Sequence, residues 1–170
     1  MAKAITLLQP WGSLIVMGAK LIETRSWSTK YRGELLIHVS KKFHFSDLEL
    51  CHYKPFSEFI PDKTKLPTGA IIGKVTLVDI ESTNDPLFLA SVTKQERAFG
   101  NYNPDRFGWI LKDPVMFAKP IPASGALSLW DFDFSAYCDL CGVAKGFANY
   151  SLCEECWVKD SGGKEEVANG

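Results

Sequence analysis

The 170-residue chain is 46% hydrophobic and 23% charged, the make-up of one globular domain able to bury its own core. No apolar run approaches the ~20 residues that span a bilayer, and "MAKAITLLQPWGS" is too weakly apolar for a signal peptide, so a cytoplasmic location and no membrane contact are expected. The net charge of −1 conceals an asymmetry: sixteen Lys/Arg face twelve Asp/Glu up to Trp130, and three face eight from Asp131 onward.

In chain order, "AITLLQ" reads as a short first strand. Pro10 suits the first turn of a helix whose buried face carries Trp11, Leu14 and Ile15, with Gly18 as its cap. "LIETRSW" and "GELLIHVS" read as strands separated by "STKYRG". Ala19–Lys42 holds six cations (Lys20, Arg25, Lys30, Arg32, Lys41 and Lys42) and two anions, a local charge that suits phosphate. "SDLE" from Ser46 to Glu49 predicts a capping box opening a second helix that ends by Pro55. Cys51 falls in that helix as a small core residue, and His44 and His52 as surface or helix residues. "GAIIGKVTLVDIES" is the clearest strand, bounded by Gly69 and a polar "STND". "TKQE" at Thr93–Glu96 predicts another capping box, and Gly100 closes that helix. "RFGWILKD" and "SGALSLWDFD" complete the strands. This succession lacks regular βαβ alternation, so the expected class is α+β: a mostly antiparallel β-barrel with short flanking helices.

"CDLCGVAKGFANYSLCEECW" separates the pair Cys138 and Cys141 from the pair Cys153 and Cys156 by eleven intervening residues. Two Cys-x2-Cys turns aim four thiolates at one point, the tetrahedral donor set of a closed, structural Zn²⁺ site. Iron held by the same four thiolates, a redox pair and idle thiols are the other readings of the spacing. One zinc per chain in a ribbon or knuckle over 135–160 is the expectation, with Phe147, Tyr150 and Trp157 packing on it or on the main domain. The Gly-rich, charged end, 161–170, reads as a disordered tail.

The segment from Gly18 to Trp27 crowds Lys20, Glu23, Arg25 and Trp27 together. On a strand, Glu23, Arg25 and Trp27 share a face, with Lys20 at its entry and Thr24 on the other side. A planar guanidinium can grip phosphate, an indole can stack on a base, and a carboxylate can accept from an exocyclic amine. The same groups could equally form an internal ion-pair network tying the first helix to the barrel. His38 is either a hydrogen-bonded core residue or a general base.

"LLQPWGSLIVMGAKLIETRSWSTKYRGELLIHVSKK" resembles the opening of an ASCH domain of the PUA-like superfamily, through Gln9, Pro10, Trp11, Gly18, Lys20, Glu23, Arg25, Trp27, Arg32, Gly33 and His38. "FGNYNPDRFGWIL" and "PIPASGALSLWDFD" resemble the family's closing strands. The likeness spans about residues 3–134, so an ASCH domain over 1–134 is expected. It implies a barrel with a pocket at one mouth, and a module binding RNA, DNA or a modified nucleotide through Trp11, Lys20, Glu23, Arg25, Trp27, Arg32 and His38. A few members are hydrolases, cutting RNA or removing an acyl group from a modified cytidine. The acyl-removing kind uses a Lys, a Thr three residues on and a Glu on a later strand. Lys20 matches the first, but Glu23 and Lys74 occupy the other positions. Binding is therefore the favoured reading, with a hydrolase using Lys20 and Glu23 as the alternative. A third reading is a protein-interaction scaffold working through the zinc segment.

Overall fold

The structure, a computed structural model, describes residues 1–138, 141–145 and 156. Cys153, Phe147, Tyr150, Trp157 and the tail 161–170 lie outside the described residues. The elements are β1 (Ala2–Leu7), α1 (Trp11–Val16), β2 (Ile22–Arg25), β3 (Gly33–Val39), α2 (Phe45–Glu49), α3 (Phe56–Phe59), β4 (Ala70–Ser82), α4 (Pro86–Ser91), α5 (Lys94–Phe99), β5 (Phe107–Pro122) and β6 (Leu129–Phe132), with single 3-10 turns at Leu50–His52 and Lys63–Lys65.

The strands form one six-stranded sheet in the order β2-β5-β4-β3-β1-β6. β1 and β3 run parallel, and every other pairing is antiparallel. The mixed α+β class agrees with the sequence reading, but the closed barrel does not. The sheet is open, with β2 and β6 as its two ends. The reason lies in strand length. β2 has four residues and pairs only with β5, while β1 already has β3 on one side and β6 on the other. Across the unpaired seam, Arg25 Nη2 donates to Thr6 O at 2.9 Å.

Alternation along β3 sorts the core. Leu35, Ile37 and Val39 join Ile5, Leu7, Val16 and Trp109 on one face. Leu36 joins Ala4, Ile71, Phe117 and Phe134 on the other. Both faces of the sheet are therefore covered. A third cluster, with Leu14, Cys51, Phe56 and Phe99, fills the space among the helices, and Cys51 is the core residue expected of it.

Local signals were kept in part. Thr93 Oγ1 accepts from Glu96 N at 3.1 Å and caps α5, but the Glu96 carboxylate turns away to the Leu21 N–H. α2 starts at Phe45, with His44 and not Ser46 at the cap position and no side-chain cap bond, and Glu49 pairs with Lys63. α4 was not anticipated, although Asp85-Pro86 announces it: Asp85 Oδ1 accepts from Leu87 N at 2.8 Å and Pro86 takes the first turn. β5 runs past the expected "RFGWILKD" through Pro114 and Pro120. Beyond Ile110 it has a strand neighbour on one side only, where proline costs no ladder bond.

The loop after β5 passes close over β3. A Cβ placed on Gly125 would lie 2.5 Å from His38 Cε1 and 2.6 Å from Thr6 Oγ1. Neither neighbour can retreat, since His38 is buried and the Thr6 hydroxyl is bonded to Ala126 O and Trp130 Nε1. Gly125→Ala is expected to cost about 1–3 kcal/mol through overpacking, read as a lower denaturation midpoint with unchanged slope.

Candidate functional site

The site is assembled at the end of α1. Gln9 is buried, with Nε2 donating to Pro67 O and Oε1 accepting from Ser13 N, so it fixes the entry that presents Trp11. At the other end Gly18 adopts a φ of 76°, the left-handed conformation that ends helices. Ala19 N and Lys20 N then both donate to Leu14 O. This reversal drops Lys20 into the interior, where its side chain is fully buried.

Lys20 Nζ donates to Ile22 O and lies 3.5 Å from Glu23 Oε2. Glu23 Oε1 lies 3.2 Å from Arg25 Nε. That Nε makes no aligned hydrogen bond, so the contact is coulombic, while Nη2 holds Thr6 O. Thr24 faces the opposite way, and its hydroxyl accepts from Asn101 N at 3.0 Å. Glu23 is thus fixed between a buried ammonium and a part-exposed guanidinium.

Two further groups belong to this network and were missed in the sequence. Glu96 is buried near Lys20, and burial raises its carboxyl despite the N–H donors of Leu21 and Ile22. Tyr102 is raised well above the usual phenol range, by burial first and then by the charges of Glu96 and Glu23. Glu96 Oε2 and the Tyr102 hydroxyl are both buried without a hydrogen-bond partner among the described residues. Glu96 was concealed by its capping-box position, which already accounted for it.

A trough opens over these residues. A hollow of about 300 Å³ is lined by Trp11, Glu23, Thr24, Gly100 and Asn101. A second, of about 250 Å³, shares Trp11 and Glu23 and adds Thr6, Arg25 and Ser40. A third, of about 490 Å³, shares Thr6 and Ser40 and runs on past His38, Lys41 and Lys42 to the Ala123–Leu127 loop. Of the sequence-predicted residues, Trp11, Glu23, Arg25 and His38 line this trough. Lys20 lies beneath Glu23 and lines none of it. Trp27 and Arg32 are elsewhere. Trp27, past the end of β2, packs edge-on against Trp109 with centroids 4.7 Å apart. Arg32 pairs with Asp79 at 3.2 Å. Lys74 pairs with Glu34 at 2.6 Å and is likewise outside the trough.

His38 is buried, with Nε2 3.2 Å from Ala123 O and Nδ1 unpartnered. Bonding to a carbonyl requires the proton on Nε2, so in the neutral ring Nδ1 is the acceptor. Its pKa is lowered, chiefly by burial.

The cysteine segment stands on the far side of β5. Cys138 N donates to Val143 O at 2.8 Å, and Gly142 N to Cys138 O at 2.9 Å, a tight turn around the first thiol pair. Gly142 packs on the Phe117 ring, and Ala118 N donates to Cys141 O at 3.0 Å. The sulfurs of Cys138, Cys141 and Cys156 lie within 4.8 Å of one another, close enough to hold one metal ion.

The family model of the ASCH domain matches residues 5–121. The chain belongs to the ASCH-domain family. Activating signal cointegrator 1 of mouse and that of human are each 27% identical over 133 residues, covering 76% of this chain and 22% of their own length. The chain thus spans under a quarter of the curated relatives it matches. Among solved structures, ASCH from Zymomonas mobilis aligns at 16% identity over 78% of this chain and 87% of its own, with a TM-score of 0.49. No helix among the described residues is long and apolar enough to cross a membrane.

The buried His38 ties stability to acidity. Because its folded pKa lies below the ordinary 6.5, the unfolded chain binds the extra proton first. Its contribution is complete above about pH 6.5 and is lost as pH falls toward the folded value. Thermal melts from pH 7.5 to 5 should show a steeper fall for the parent than for His38→Gln.

Proposed function

We propose that this ASCH domain is a nucleic-acid-binding module, and that the trough beside Trp11, Glu23 and Arg25 receives one nucleotide of an RNA or a modified nucleotide. The observation that carries the reading is the clamp itself: a carboxylate and a guanidinium held side by side at the wall of an open hollow, with an indole shared between adjoining hollows. Arg25 supplies positive charge for a phosphate, Trp11 a face for the base, and Glu23 an acceptor for base amines. Lys20 acts here as a positioning residue, since it is buried under Glu23 and reaches no hollow. Family membership supports the reading, and the names of the relatives add no substrate to it.

Binding should weaken as salt rises, as phosphate contacts require. Arg25→Ala is expected to weaken binding of a ribonucleotide oligomer by about tenfold, the worth of one charge-assisted contact. Lys30→Ala, outside the trough, should change it by less than about twofold. Glu23→Gln should shift base preference while retaining binding. Turnover of RNA or an acylated cytidine that disappears in Glu23→Gln while ligand still binds would assign the hydrolase alternative instead. Absence of salt-dependent binding to RNA, DNA and nucleosides alike would refute the module.

We also propose that Cys138, Cys141, Cys153 and Cys156 hold one structural Zn²⁺. The support is the closeness of three of these thiols and the tight turn at Cys138–Gly142. Four thiolates leave no open position, so the metal would staple the segment and carry no chemistry. Elemental analysis should find about one zinc per chain. Cys141→Ser should release it and raise the protease sensitivity of the C-terminal segment. Stoichiometric iron, or an intact segment without metal, would overturn the assignment.

A further inference from the structure

The six cations between Ala19 and Lys42 fall into three sets: those paired with carboxylates, Lys30 outside the trough, and a lysine pair that lines it. Lys20, Arg25 and Arg32 are committed to Glu23 and Asp79. Lys41 and Lys42 have no carboxylate within 4.0 Å among the described residues, and both line the third hollow of the trough. The stem of Lys41 lies over Gly69, where a Cβ would collide with its Cγ, so the side chain is seated on backbone. His38, in the same hollow, is held toward its neutral form, so the lysines supply the charge there.

The chain leaving this hollow reads Lys41-Lys42-Phe43-His44-Phe45. Phe43 is 52% exposed and Phe45 71% exposed, rings that a chain with both sheet faces covered had ample core to absorb. The Lys63 ammonium stands 5.3 Å from the Phe45 ring centroid, which steadies that ring, and Lys63 also neutralises Glu49. Uncommitted cations followed by exposed rings are the surface that single-stranded nucleic acid uses: charge tracks the backbone and each ring takes a base, which duplex DNA or RNA keeps stacked inside.

We infer that residues 41–45 continue the nucleotide hollow into a path for single-stranded nucleic acid, with Lys41 and Lys42 on phosphates and Phe43 and Phe45 stacking on successive bases. The inference rests on the nucleotide-binding reading above, because it takes the clamp as the start of the path. It adds a class of ligand, a strand of several nucleotides, and residues outside the ASCH opening motif.

The test compares adenosine 5′-monophosphate with single-stranded oligoadenylate of about eight units, as ribo- and deoxyribo-oligomers, and with a duplex of that length, by fluorescence anisotropy and calorimetry. The oligomers should bind more tightly than the mononucleotide and the duplex. Phe43→Ala with Phe45→Ala should weaken oligomers by on the order of tenfold per ring and leave the mononucleotide unchanged. Lys41→Gln with Lys42→Gln should lower the salt slope for oligomers by about 1.4, near 0.7 for each of the two phosphates no longer neutralised. Arg25→Ala should weaken mononucleotide and oligomer together. A mononucleotide that binds as tightly as the oligomer, an undiminished oligomer affinity in the Phe pair, or equal competition by duplex would overturn the path and leave the clamp standing. Failure of every ligand, mononucleotide included, would remove both.

Discussion

The Arg25 guanidinium spans the place where backbone pairing stops. β2 ends there after four residues, and no ladder joins it to β1 across the seam. One Nη2 bond to Thr6 O bridges the seam, and the same guanidinium sets Glu23 from the other side. Lys20 completes the arrangement from below. A fully buried ammonium is tolerated only where a carboxylate and further hydrogen bonds compensate its lost hydration. Glu23 and the Ile22 carbonyl do so. The side chains that shape the hollow therefore also hold the fold together, and the wall of the trough is set before any ligand arrives. Such preorganisation lowers the ordering cost of binding.

The cluster differs in character from one side to the other. It is an internal ion-pair network on the Lys20 side and an open surface on the Glu23 and Arg25 side. The contrast follows from depth. Gly18 turns the chain inward at Lys20, and the short strand that follows climbs back to the surface within five residues. A single sequence motif thus carries a buried ammonium and a part-exposed carboxylate–guanidinium pair beside a hollow.

Much of this was legible in the residues, and the limits have physical causes. Strand alternation placed Glu23 and Arg25 on one face and Thr24 on the other, because a period of two survives any tertiary arrangement. Gly18 and Thr93 marked helix ends for the same local reason. The closed barrel was not legible, since closure depends on how far β2 extends and not on whether it is a strand. Trp27 was given a ligand face, yet it lies beyond the last paired residue of β2, where alternation no longer applies and Trp109 offers a better surface. Arg32 was counted with the basic segment, but a partner 47 residues away claims it. Glu96 and Tyr102 come from remote positions, and no local pattern announces that burial will raise both.

The bond from Ala118 N to Cys141 O has a bearing on how copies of the chain behave toward each other. Beyond Ile110, β5 presents a long margin with no strand beside it among the described residues, and such a margin is a template for pairing with another molecule. Prolines blunt part of it, and the turn at Cys138–Gly142 occupies the stretch around Ala118. The backbone at Cys141 is in this respect a shield for the sheet. A chain that lost it would present Phe117 and an open strand margin together, the combination from which self-association begins.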